Sequence, residues 1–358
     1  MKTNFKERVW NEQYVFGDPE RDAIIDKMAA ELGKSRFFAI LLYNRGYRTA
    51  EDAMRFLHFE EENLHDPYLL CDMEKATDRI FRAIESKEKI CVYGDYDVDG
   101  VTAVSTLYLY LTSLGADVFI KIPKREGEGY GVSKTAIDRL ADQGAQLIIT
   151  VDTGITACDE VDYAKDEYGI EFVITDHHEC REELPNACAV VNPHRRDCPY
   201  PFKELAGVGV VFKLVCALEI KRCRADGRAI DAGLRDVCLK YIDLVTLGTI
   251  ADVMPIVDEN RLIVSMGLKL MENSARPGLK ALIDAASSKK AGDYSKKKKI
   301  NSSFIGFGIA PRINAAGRIS DAAIAVRALL ADEHEAPSLA EELCEINRQR
   351  QVDRKSVV

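Results

Sequence analysis

The sequence predicts an α/β protein: a parallel sheet with helices on both faces, preceded by an N-terminal helical segment and followed by a mainly helical region. Three observations predict it. Between residues 89 and 192 short apolar runs alternate with helix-like stretches across short connections. Before about residue 70, and again from residue 207, apolar residues recur at helical spacing. The apolar runs 89–93, 147–151 and 172–174 each end in a turn bearing Asp, Gly or His. In a parallel sheet such turns share one edge, the edge where ligands bind.

Taken in order, residues 21–32, 36–43 and 50–57 read as helices, and 74–86 as an amphipathic one. The alternating region then reads strand 89–93, helix 101–114, strand 117–122, helix 133–143, strand 146–151, helix 156–168, strand 170–175, and a further strand at 189–192. Helices follow at 210–223, 234–247, 262–271 and 278–286. A polar, lysine-rich interruption at 287–300 separates these from helices at 320–330 and 338–352, the last charged and expected to be exposed. This gives a helical segment 1–70, a catalytic region 71–331, and the start of a long helix at 332–358.

Composition narrows the class. Hydrophobic residues make up 47% and charged residues 30%, ordinary for a globular chain. The first ten residues carry no apolar signal-peptide core. The apolar stretch 207–220 is too short to span a bilayer and is interrupted by Lys213. A cytoplasmic protein with no membrane partner is therefore expected. The 10 cysteines read as reduced thiols; Cys180, Cys188 and Cys198 follow a His pair, but their spacings are too wide and irregular for a zinc site. A formal charge of -9 by itself argues against a nucleic-acid binder. It is also what a carboxylate-rich metal site produces before cations neutralise it.

Five motifs carry candidate chemistry. In Gly94–Gly100 the carboxylates Asp95, Asp97 and Asp99 alternate after a strand. Residues two apart in an extended segment point the same way, so Asp97 and Asp99 can converge, and like charges at one point call for a hard divalent cation. A plain acidic turn is the bland alternative. Asp152 follows the strand 146–151, where a helix N-cap is a common role. Asp176, His177 and His178 follow the strand 170–175, a turn that could also hold two chance histidines. Asp252 ends a long apolar stretch, where a capping Asp is the ordinary reading. Last, Arg312, Asn314 and Arg318 stand among Ala and Gly, and Arg125 lies in a charged loop after a strand. Forked Arg donors with small neighbours suit phosphate oxygens; salt-bridged surface loops are the alternative. The lysine run 296–299 reads as a solvated loop.

The ordered set GDYDVDG, EGYG, VDTG, TDHH, GTIADV and APRINAAGR, spanning residues 90–318, resembles the DHH phosphoesterase superfamily and, within it, the RecJ family of single-stranded-DNA-specific exonucleases. The resemblance implies two Mn²⁺ or Mg²⁺ ions held by Asp97, Asp99, Asp152, His177 and Asp252. It implies that Asp95 and Asp176 support the metal shell and that His178 contacts the scissile phosphate or protonates the leaving oxygen. Arg125, Arg312, Asn314 and Arg318 would hold strand phosphates. Some relatives carry a further His ligand where this chain has Tyr93. The implied activity is 5′-to-3′ degradation of single-stranded DNA in repair and recombination, with a helicase or single-strand-binding protein as candidate partners. A same-superfamily enzyme acting on short oligonucleotides, cyclic dinucleotides or pyrophosphate is the alternative. Family members continue into a DHHA1 domain with a Gly-Gly-His motif and an OB-fold domain. Neither is found here, so the resemblance leads to the expectation of a truncated chain with impaired processive degradation.

Overall fold

The computed structural model describes residues 17–58, 64–123, 131–274, 276–287 and 300–356. Two compact units divide between Asn63 and Leu64. The first holds α1 (Pro19–Leu32), α2 (Arg36–Asn44) and α3 (Ala50–Leu57), around Ile25, Met28, Ala39, Leu42 and Ala53. Each helix starts where a side-chain oxygen, from Asp18, Ser35 or Thr49, accepts a first-turn N–H.

The second unit carries the sheet. Its five strands, β1 (Ile90–Gly94), β2 (Val118–Lys121), β3 (Leu147–Val151), β4 (Glu171–Thr175) and β5 (Ala189–Val191), lie in the order β2-β1-β3-β4-β5, every pair parallel. The chain runs from β1 outward to β2, then returns to β3 on the other side, so the order switches between β1 and β3. Side chains alternate across the sheet. Ile90, Val92, Leu147, Ile149, Val151 and Val173 point into one apolar cluster, while Cys91, Tyr93, Ile148, Phe172 and Ile174 point into another. The second cluster is covered by α6 (Lys134–Asp142) and α7 (Cys158–Tyr168). The first is covered by α4 (Met73–Glu85), α5 (Val98–Ser113), α8 (Gly207–Asp226) and α9 (Ile230–Ala251). Burial on both faces is why these strands read as unbroken apolar runs.

Beyond α9 come α10 (Asp258–Met271), α11 (Pro277–Ser287), a short turn α12 (Ser302–Phe304), a π-helical turn Ile305–Ile309, α13 (Ala310–Ile319), α14 (Ala323–Leu330) and α15 (Ala336–Ser356). The APRINAAGR segment, for which a surface loop was the alternative, is helix α13 and runs on directly from the π-helical turn before it; Pro311 is its second residue, so the widened turn falls where Pro311 lacks an N–H. Two local expectations change. Helix α8 begins at Gly207, before the expected residue 210, because a carboxylate from another element satisfies its first N–H groups. Helix α15 is not simply an exposed charged helix: Leu339, Leu343, Ile346 and Asn347 recur on one face and are buried. Among the described residues no helix is long and apolar enough to cross a membrane.

Candidate metal centre

The register of the sheet sets the site. Gly94 pairs with Val151, and Val151 with Thr175, so three strands end on one row. The next residue on each is an aspartate: Asp95, Asp152 and Asp176. All three are buried, at 6%, 2% and 1% exposure, where an unneutralised carboxylate is costly. Just past β1, Asp97 caps α5 by accepting the Gly100 N–H at 3.0 Å, and Asp99 lies in the first helical turn, 1% exposed.

Three groupings bring potential ligand atoms within 4.8 Å of one another: Asp95, Asp97 and Asp152; Asp99, His177 and Asp252; and Asp152, His177 and His178. His177 joins them. Its Nε2 lies 3.2 Å from Asp152 Oδ1, 3.7 Å from Asp252 Oδ2 and 3.8 Å from Asp99 Oδ2. The five residues implied as metal ligands therefore converge. Asp95, expected to support the shell, lies within the same 4.8 Å grouping as Asp97 and Asp152. No cysteine enters any of these groupings, which the zinc alternative required.

A capping role does not account for all of these aspartates: Asp97 caps α5 and Asp252 stands at the C-cap of α9, but the buried Asp95 and Asp152 face other carboxylates rather than helix N–H groups. Asp152 is no helix cap: it adopts left-handed backbone, φ 58°, and α7 starts six residues later without a side-chain cap. Asp252 sits at the carboxyl end of α9, where the helix dipole disfavours an anion. Asp95 Oδ1 and Asp152 Oδ1 are buried and have no hydrogen-bond partner among the described residues. Buried carboxylate oxygens left without donors, clustered with imidazole, fit a hard divalent cation.

Electrostatics agree. Burial, then the charges of Asp252 and Asp97, holds the Asp99 carboxyl well above its usual range. Burial and Asp99 do the same to Asp152. Asp95 is pushed up to about 7, by burial and then Asp97 and Asp176 against the backbone hydrogen bond of Tyr96. Asp252 reaches about 6, from burial and then Asp97. Burial and the neighbouring His178 press His177 down to about 4, keeping the imidazole neutral. The cluster is thus short of positive charge in the way a cation would supply.

Asp176 is different. It accepts from Ile155 N, His177 N and His178 N, and its Oδ1 lies 2.7 Å from His178 Nδ1. Burial works to raise its pKa, but these bonds outweigh it and hold the carboxyl low. In turn the hydrogen bond to Asp176 raises His178, whose side chain is 46% exposed. A fixed carboxylate thus orients an accessible imidazole beside the cluster.

The arginine motif meets the site through its helix. Asn314 Oδ1 accepts the Val98 N–H at 3.2 Å, and Gly317 packs so closely on the Asp-rich turn that a Cβ there would stand 2.4 Å from Tyr96 O. The Arg312 guanidinium is turned to Gly308 O and to Cys344 Sγ on α15, while Arg318 is exposed. Arg125 and the lysines 296–299 lie outside the described residues.

Several contributors carry no signal in the one-dimensional pattern. Gly207 N and Val208 N donate to the two oxygens of Asp99 at 2.6 and 2.9 Å, placing the positive end of α8 against it. A Cβ on Gly207 would stand 2.4 Å from Asp152 Oδ1, so only glycine admits that carboxylate. Asn192, buried one residue past β5, donates to His178 O at 2.9 Å. Tyr93, at the position of the extra His of some relatives, donates its hydroxyl to Gly131 O at 2.9 Å.

This fold and site are those of a DHH-type protein: the DHH family, N-terminal domain, matches residues 89–249. The chain is 43% identical over 334 residues to the single-stranded-DNA-specific exonuclease RecJ of Bacillus subtilis, covering 93% of this chain and 39% of that protein. It is 37% identical to RecJ of Escherichia coli over 314 residues, covering 87% and 52%. Among solved structures it resembles exonuclease RecJ bound to manganese, with TM-score 0.69, 35% identity and 80% and 68% coverage. RecJ of Thermus thermophilus in complex with Mn²⁺ gives 0.74, 31% identity and 94% and 45%. The chain belongs to the RecJ family. It spans 39% to 52% of the length of the two curated relatives.

Proposed function

We propose that the chain hydrolyses phosphodiester bonds of single-stranded DNA from the 5′ end, using two Mn²⁺ or Mg²⁺ ions, in DNA repair and recombination. The observation carrying this reading is the row of three strand-end aspartates with His177 Nε2 facing three carboxylates, on a chain 43% identical to a RecJ over 334 residues. In this reading Asp97, Asp99, Asp152, His177 and Asp252 hold the ions, with Asp95 close enough to join them. When bound, such ions acidify water and neutralise phosphate charge. Asp176 fixes the tautomer and orientation of His178, which gives a proton at Nε2 to the leaving oxygen. The Asp176 hydrogen bond also raises the His178 pKa, which favours the protonated imidazole. Arg312, Arg318 and Arg125 are proposed phosphate contacts, with Asn314 setting the start of α5.

The test supplies Mn²⁺ and single strands labelled separately at the 5′ and 3′ ends, beside pyrophosphate, cyclic dinucleotides and short oligonucleotides. Mononucleotides released from the 5′ end support the proposal. Pyrophosphate turnover without DNA turnover sinks it. We further propose a cytoplasmic setting and a helicase or single-strand-binding protein as partner. Failure of purified candidates to co-elute with the chain removes that part alone.

A further inference from the structure

Glu259 and Asn260 are fully buried polar residues at the start of α10, and nothing in the proposed chemistry uses them. Asn260 Nδ2 donates to Glu204 O at 2.5 Å and to Pro255 O at 3.1 Å. One amide thereby joins two segments distant in sequence, and both serve the metal cluster. Pro255 lies three residues after Asp252, in the connection from α9 to α10. Two non-glycine residues adopt left-handed backbone here, Val253 in that connection at φ 61° and Asp258 at the first position of α10 at φ 47°. Such a conformation persists only where its surroundings fix it. Glu204 enters α8 just ahead of Leu205, whose backbone engages the His177 ring, and of Gly207 and Val208, which hold Asp99.

Glu259 makes a second tie between the same parts. Its Oε1 accepts from Lys213 Nζ of α8 at 2.6 Å and from His65 N at 2.9 Å. Its Oε2 accepts from the Tyr200 hydroxyl, in the segment leading to α8. Replacing a buried ion pair by apolar residues is often neutral or stabilising, so stability alone is weak reason for this one. A set distance between α10 and the entry to α8 is a better one.

We infer that Asn260 is a positioning residue that sets the separation of Asp252 from Asp99 and His177, with Glu259 bracing it. The inference rests on the metal-site reading. Loss of an outer residue that hydrogen-bonds a ligand directly lowers metal affinity roughly 10–100-fold; Asn260 acts at one remove, through the backbone of Pro255 and Glu204, so that range is the upper bound for it.

The experiment is Mn²⁺ titration of the full chain by calorimetry and electron paramagnetic resonance, with melting curves in chelator. The variants are Asn260→Asp, which turns an acceptor toward both carbonyls, and the milder Asn260→Ser, which keeps one donor. Ile263→Val, a buried trim on the same helix, controls for lost stability. Expected is weaker binding of one Mn²⁺ in Asn260→Asp, by up to roughly 10–100-fold, a smaller loss in Asn260→Ser, and unchanged binding in Ile263→Val. Affinities unchanged in the Asn260 variants, with melting lowered as in the control, would overturn the inference and leave the metal site standing. A wild-type chain that binds no Mn²⁺ overturns both. If Asn260→Asp does not fold, the Asn260→Ser comparison decides.

Discussion

Replacing Asp95 by Asn should make the metal-free protein more stable while weakening its hold on metal. The side chain is 6% exposed, and burial with the nearby Asp97 and Asp176 charges pushes its carboxyl up to about 7 from an ordinary 3.8. At 1.36 kcal/mol per pH unit that gap corresponds to about 4 kcal/mol of disfavoured charge at pH 8. The sign follows from linkage. A carboxyl that binds its proton more tightly folded than unfolded loses stability as pH rises from 3.8 to about 7, and the penalty is constant above that. Asn is isosteric, keeps an acceptor for the Tyr96 N–H, and offers donors to the facing carboxylates. Neighbouring groups share the relief, so a gain of roughly 1–4 kcal/mol is expected, at on the order of 2–4 °C in Tm per kcal/mol for large domains. The assay is thermal unfolding in chelator between pH 5 and pH 8, repeated in millimolar Mn²⁺. In chelator the variant should melt higher, by a margin that widens up to pH 7. In Mn²⁺ the wild type should gain more and the margin should shrink or reverse. A margin independent of pH, or a variant that melts lower in chelator at pH 8, refutes the view that uncompensated charge strains this site.

Other outcomes follow from the same geometry. Mn²⁺ affinity should fall below pH 7, because Asp95 near 7 and Asp252 near 6 must each lose a proton to ligate; proton release measured by calorimetry in buffers of different ionisation enthalpy checks this. His178→Ala should leave Mn²⁺ binding within a few-fold but lower kcat by roughly 10²–10⁴, as removal of a general acid does; an equal loss of metal binding would make His178 a ligand instead. Gly207→Ala should abolish binding of at least one ion, since its methyl would meet Asp152 Oδ1 at 2.4 Å, while circular dichroism stays helical; unchanged affinity would mean that the carboxylate can rotate away. Tyr93→Phe should cost about 1 kcal/mol through the lost bond to Gly131 O, with the metal sites intact.

Much of this was readable in the chain itself. The apolar runs of β1, β3 and β4 and the Asp or His immediately after each are local, so a parallel sheet with a shared carboxyl edge follows from alternation and short connections. The helix starts were less legible. Asp97 pulls the start of α5 to Val98 and Asp99 pulls that of α8 to Gly207, each by hydrogen bonds that no periodicity reports. The segment at Arg312 and Asn314 does not announce a helix, because Pro, Asn and Gly break helical patterns. As a helix it packs on the Asp-rich turn and commits Asn314 to Val98 N.

What the sequence determined by itself was the inventory and its order: six acids and imidazoles, Asp97, Asp99, Asp152, His177, His178 and Asp252, spread over more than 150 residues. Its motifs also carried the family resemblance. Tertiary structure decided which oxygen faces which nitrogen, that Asp95 lies within reach of Asp97 and Asp152, that Asp176 bonds His178, and that Gly207, Asn192 and Asn260 stand against the segments carrying them. The physical reason is range. Side-chain type and strand period act over a few residues, whereas the fields and hydrogen bonds that build a cation site act over a few ångströms between segments the chain brings together only by folding.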